Sequence, residues 1–139
     1  MKMRLALLLS LLAVPIAVLG IFGMLRSGLE TLASGVAVVI ASLVLARAAG
    51  GKYFLNGLLC GGAMGLLLGL VQAAFLPQYL QHNPQAAETF KALPPQITPL
   101  MAVLAAAPIN GVITGLVTGV LTMVGSHFMR DRPRPASGS

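Results

Sequence analysis

Apolar residues run through this chain in four long blocks, 5–25, 32–49, 53–76 and 97–129, separated by polar, glycine or proline breaks, of which only 77–96 is sizeable. A membrane-crossing helix needs about 20 predominantly apolar residues. The pattern therefore predicts an all-α membrane protein with four transmembrane helices in one domain, 1–129, followed by a polar, proline-broken tail, 130–139, expected to be disordered, basic and cytoplasmic. The break after the second block, Gly50-Gly51-Lys52, reads as a tight, positively charged turn. Within the second block Ala33, Ala37 and Ala41 recur every fourth residue, flanked by Ser34 and Ser42, and make a modest small-residue face.

The third and fourth blocks carry a stronger version of that face. One reads Asn56-Gly57 and continues through Gly61, Gly65 and Gly69; the other reads Asn110-Gly111 and continues through Gly115 and Gly119. Glycine every fourth residue lets a second backbone approach closely, and lipid tails supply no hydrophobic drive for helices to associate. Glycine-zipper packing is expected on both helices, within one chain or between copies. The shared Asn-Gly opening covers about ten residues of simple apolar sequence, which fits convergence on packing better than duplication of a transporter-like unit. At a helical period the last block sorts into two sides. Asn110, Thr114, Thr118, Thr122 and Ser126 form one row beside the glycines. Val112, Ile113, Leu116, Val117, Val120, Met123 and Val124 cover the opposite, lipid-suited side. Asn110, Thr114, Thr118 and Thr122 are the candidate lining of a water path; hydrogen bonding and packing between helices are the favoured alternative.

Several local features qualify the picture. Lys2 and Arg4 before an apolar run resemble a secretory signal, but the run continues to residue 25 without an Ala-x-Ala site, so an uncleaved span is expected. Pro15 should kink that span. The last block has more residues than one crossing needs, so it should tilt strongly, begin at the interface, or break at Pro108. The polar stretch 77–96 contains Asn83-Pro84, a capping side chain followed by a first-turn proline. Ala86, Phe90 and Leu93 share one side of the helix that follows, and Pro94-Pro95 stops it; it reads as a short amphipathic helix on the membrane surface. Gln72, deep in the third block, is expected to hydrogen-bond a neighbouring helix.

Composition agrees: of the 139 residues 57% are hydrophobic and 9% charged, with mean hydropathy +0.90, against about 25% charged in soluble domains. Tyr53 and Tyr79 fall at expected membrane boundaries. The net charge of +6 sits at the ends of the apolar blocks. With the N-terminus inside, Lys2, Arg4, Arg47, Lys52, Arg130, Arg132 and Arg134 fall inside, and Arg26 and Lys91 outside. This is the positive-inside arrangement of an inner-membrane protein with both termini cytoplasmic. No basic face with aromatic platforms accompanies the charge, so nucleic acid is not an expected partner.

No catalytic constellation is legible. Glu30, Glu88 and Asp131 are expected far apart, His82 and His127 on opposite sides, and the single Cys60 belongs with close packing. No carboxylate or base lies near the centre of a block, which argues against a proton-coupled transporter. No cofactor, metal or enzymatic activity is expected. The expected partners are the bilayer and another membrane protein or further copies of the chain.

The Gly50-Gly51-Lys52-Tyr53-Phe54 opening of the third block, the Gly61-to-Gly69 body, the Phe75-Leu76-Pro77 exit, the polar loop and the Gly/Thr-rich last block together resemble a bacterial four-span inner-membrane family catalogued as a domain of unknown function, number four-one-nine-nine. The resemblance covers nearly the whole chain and implies location and topology, without an activity. The sequence thus reads as a small non-enzymatic membrane protein, an accessory or assembly subunit or a homo-oligomer, with a small pore or passive transporter as the alternative.

Overall fold

The computed structural model describes residues 2–24 and 27–130, with the side chain of Ser27 outside that set. Among the described residues the secondary structure is entirely helical, in seven helices: α1 (Met3–Ser10), α2 (Ala13–Ile21), α3 (Ser27–Ala48), α4 (Tyr53–Ala74), α5 (Leu76–His82), α6 (Pro84–Lys91) and α7 (Pro99–Arg130). Four stretches are long and apolar enough to cross a membrane: Met3–Ile21 (α1 with α2), Gly28–Ala48, Tyr53–Ala74 and Pro99–Arg130. The expected tail lies outside the described residues beyond Arg130, which itself ends α7.

The first span is broken at Leu11 and Leu12, upstream of the proline expected to kink it. A proline ring clashes with the carbonyl four residues earlier, and for Pro15 that carbonyl belongs to Leu11. The chain tightens there to three-residue bonds, Leu11 N–H to Leu8 O at 3.2 Å, Leu12 N–H to Leu9 O at 3.1 Å and Val14 N–H to Leu11 O at 3.1 Å. Pro77 acts in the same way on the third span: α4 stops at Ala74, and a separate short helix, α5, resumes at Leu76. That helix was not evident in the sequence, where 77–83 reads as loop. Pro108 behaves differently. It sits on an exposed face inside an unbroken α7. The 32 residues of α7 make a helix about 48 Å long, well beyond the roughly 30 Å of hydrocarbon.

The ends of these helices are closed by local chemistry. At the end of α2, Gly23 adopts φ +68°. Its N–H donates to Gly20 O and that of Met24 to Leu19 O, each at 3.1 Å, so a left-handed glycine satisfies the last carbonyls. Between α3 and α4, Gly50, Gly51 and Lys52 all have positive φ (+63°, +146° and +49°), the tight turn the sequence predicts. At the start of α7 the N–H of Met101 donates to Thr98 Oγ1 at 3.2 Å, with Pro99 in the first turn.

Packing is most extensive between α4 and α7; α3 also lies against α7, and α1 and α2 lie against α4. The apolar core between the first span, α3 and α4 is built of small residues (Ala6, Ala13, Ala37, Ala41 and Cys60) with Val38, Leu45 and Met64. Large apolar side chains point outward instead, among them Val112, Ile113, Leu116, Val117 and Val120 on α7. That inversion suits a hydrocarbon surround, in which bulky side chains lose nothing by exposure and helices associate through small residues. On α4, Leu67 is half-buried and packs on the core, whereas Leu70 is exposed.

Candidate functional site: the α4–α7 seam and the polar clusters at its two ends

All seven glycines singled out in the sequence are buried, and they occupy one seam. A Cβ placed on Gly57 would lie 2.6 Å from Thr118 O and 2.7 Å from Gly119 Cα. One on Gly65 would lie 2.7 Å from Gly111 Cα and 2.8 Å from Asn110 O, and one on Gly61 2.5 Å from Thr114 O. Gly69 is closed by Ala107. From the other side, Gly115 faces Leu58 O at 2.8 Å and Gly119 faces Phe54 at 3.0 Å. Backbone meets backbone, so at most of these positions no side chain has a direction in which to yield.

The hydroxyl row lies along the same seam and is not uniform. Thr118 and Thr122 are fully buried, Thr114 is half-buried and Asn110 is exposed. Thr118 Oγ1 donates to Thr114 O at 2.6 Å, Thr122 Oγ1 to Thr118 O at 2.7 Å and Ser126 Oγ to Met123 O at 2.7 Å. Each buried donor is therefore satisfied by its own helix, the usual solution for a mid-helix hydroxyl. Ser42 Oγ on α3 donates to Val38 O at 2.7 Å and reaches Thr118 O at 3.5 Å. Between the first span, α3, α4 and Thr114 there is a recess of about 50 Å³, room for about three or four waters.

At one end of the seam Asn56 is fully buried. Its Oδ1 accepts the backbone N–H of Lys2 at 3.0 Å, and its Nδ2 donates to Gly51 O at 3.2 Å and Lys52 O at 3.0 Å. The side chain ties the start of the first span to the strained α3–α4 turn. In the sequence it was legible only as the opening of a glycine row.

The opposite end holds a second polar cluster. Glu30 lies in the first turn of α3. It accepts a hydrogen bond from Gln72 Nε2 at 3.2 Å, which is the interhelical bond expected of Gln72. Its carboxylate packs so closely on Gly20 that a Cβ there would come within 2.9 Å. Burial, and then the charge of Glu30, hold the Tyr79 phenol above its ordinary value. Asn83 was expected to cap α6. It precedes that helix, but its side chain makes no cap; Nδ2 turns back to Tyr79 O at 2.9 Å and to Gly20 O at 3.2 Å. Beside this cluster a cleft of about 280 Å³ opens between α4, α6 and α7, with Gln72, Tyr79, Thr89 and Asn110 as its polar lining. Periodicity could not reveal the Glu30–Gln72 pair, because its members lie 42 residues apart.

Among the described residues no group of three or more His, Cys, Asp or Glu side chains comes together. No protein-family model, curated protein or solved structure matches the chain.

Proposed function

We propose that this chain is a non-enzymatic component of a bacterial inner membrane that works by holding another membrane helix, as an accessory or assembly subunit or as a homo-oligomer. The observation that carries the reading is the outer face of α3. Gly28 and Gly35 there have nothing within 4 Å of a built Cβ, whereas every seam glycine of α4 and α7 named above meets a neighbour. Gly35 and Thr31 lie in a shallow groove of about 400 Å³ with Leu32, Val36, Val39 and Ile40. Glycine in a helix interior costs roughly 1 kcal/mol relative to alanine, and within membranes that cost is characteristically offset by close helix contact. On α4 and α7 the chain supplies that contact itself, as a glycine zipper; on α3 a further helix would supply it.

In this reading the end carrying Lys2, Arg4, Arg47, Lys52 and Arg130 faces the cytoplasm. The amphipathic α6 then rests on the outer membrane–water boundary. The resemblance to the four-span family agrees with this layout. The rival, a pore along Asn110, Thr114, Thr118 and Thr122, is disfavoured by the burial of Thr118 and Thr122 and by their hydroxyl bonds to their own helix.

The test is purification from native membranes in mild detergent, with light scattering for mass and identification of co-purifying chains, for wild type and Gly35→Leu. A homo-oligomer or a stoichiometric membrane partner, lost in Gly35→Leu, is the expected result. A wild-type monomer without a partner, or an assembly indifferent to Gly35→Leu, overturns it. Ion conductance in liposomes that falls on Thr118→Leu would favour the pore.

A further inference from the structure

We infer that the cleft between the start of α4 and the last turns of α7 is a binding site for one anionic phospholipid. The inference requires only that the helices cross a bilayer; it is independent of whether α3 carries a partner. The cleft has a volume of about 560 Å³, inside the range of roughly 300–1,000 Å³ typical of ligand sites. It is lined by Met123, Val124 and Phe128 of α7 together with Tyr53, His127 and Arg130. Ser126, also in the lining, donates to Met123 O at 2.7 Å. An apolar trough on the last turns of α7, with the arginine that ends the helix among its lining residues, suits an amphiphile with a negative head.

Charge decides which amphiphile. Lys2 precedes α1 and Arg4 lies in its first turn, Arg47 is in the last turn of α3, Lys52 immediately precedes α4, and Arg130 ends α7. These five described bases gather at one end. The described acids, Glu30 and Glu88, belong to the other; Asp131 follows Arg130 in sequence, beside Arg132 and Arg134. A zwitterionic headgroup gains little from such a field, and a net negative phosphodiester gains most. Arg130 supplies the planar fork that matches phosphate oxygens. Tyr53 supplies an amphipathic ring at headgroup depth. The acyl chain would lie along Met123, Val124 and Phe128, the last of which is 71% exposed. Basic pockets at the membrane boundary between helices are a recurrent setting for anionic headgroups.

The full-length protein, purified in detergent, would be titrated with phosphatidylglycerol and with phosphatidylcholine, and bound lipid read by native mass spectrometry. The expected result is a single phosphatidylglycerol held about fivefold or more tighter than phosphatidylcholine. Arg130→Gln should bring the preference down to near parity. Arg47→Gln, at the same end but not among the cleft residues, should leave most of it. Val124→Trp, which fills the trough, should displace the lipid while Arg130 remains. Equal binding of both lipids, an equal loss on Arg47→Gln, or indifference to Val124→Trp overturns the site. Displacement of the lipid by inorganic phosphate alone would also overturn it, by reducing the site to a phosphate contact.

Discussion

Along α4 and α7 two backbones touch because side chains are missing. Along the first span small side chains fill the core, and two asparagines hold its ends. Gly57, Gly61 and Gly65 leave no room for a Cβ against the facing helix. By contrast, the first span is interrupted at Leu11 and Leu12. It is tied by Asn56 to its start at Lys2 and by Asn83 to its end at Gly20. The seam is continuous and intolerant of added volume. The first span is segmented and depends on a few hydrogen bonds. The difference teaches that a membrane protein with few large residues in its core can use steric exclusion where helices must not move, and polar pins where a helix is broken.

The largest expected effect breaks the seam. Gly61→Leu and Gly65→Leu force bulk against backbone, and each should destabilise by about 3 kcal/mol or more, read as a shift of unfolding in detergent. Leu70→Ala, at an exposed position of the same helix, should stay within about 0.5 kcal/mol. Similar shifts for all three would remove the seam as the element that holds the fold.

Next comes the pin at the basic end. Asn56→Ala removes one acceptor and two donor bonds at a buried site and should cost about 1–3 kcal/mol. Hydrogen exchange should rise first in residues 2–10, while α7 stays protected; uniform loosening would mean that the two regions are not separately held.

A milder perturbation acts at the other end. Gly23→Ala places a Cβ at φ +68° and 2.9 Å from His82 Cβ; about 1–2 kcal/mol is expected from the left-handed backbone alone. Asn83→Ala should lose about 1 kcal/mol. If Gly23→Ala exceeded Gly61→Leu, the ranking of seam over pins would be reversed.

The smallest effect concerns pH. The Tyr79 phenol is raised by burial and then by Glu30, so the folded chain keeps that proton longer than the unfolded one. Its contribution to stability is full below the ordinary tyrosine value of about 10 and is lost as pH climbs through the raised value. In a Tyr53→Phe background the phenolate absorbance should titrate above the ordinary value. Glu30→Gln should bring the midpoint down part of the way, and an unmoved midpoint would separate Tyr79 from the Glu30 cluster.

Much of the architecture is legible in the residues themselves. Four apolar blocks long enough to span are visible directly, as are the two sides of α7. Val112, Ile113, Leu116 and Val117 are exposed, and Gly111, Gly115, Thr118 and Gly119 are buried, because helical period alone sorts them. The Gly50-Gly51 turn, the helix starting at Pro84 and the bond from Gln72 to a neighbouring span also follow from local chemistry.

Other features depend on which helices meet. Leu67 rather than Leu70 faces the core because the first span lies against that side of α4. Asn83 abandons the cap its sequence position offers because Gly20 O comes within its reach. Glu30 meets Gln72 because α3 begins earlier than its apolar run does. The Asn56 pin, too, joins residues that no period connects. Sequence by itself determined where the chain is apolar and which residues share a helical face, since both are properties of neighbours along one helix. Only the tertiary structure decided which of those faces oppose each other and which polar groups end as partners, since these depend on distances between residues far apart in the chain.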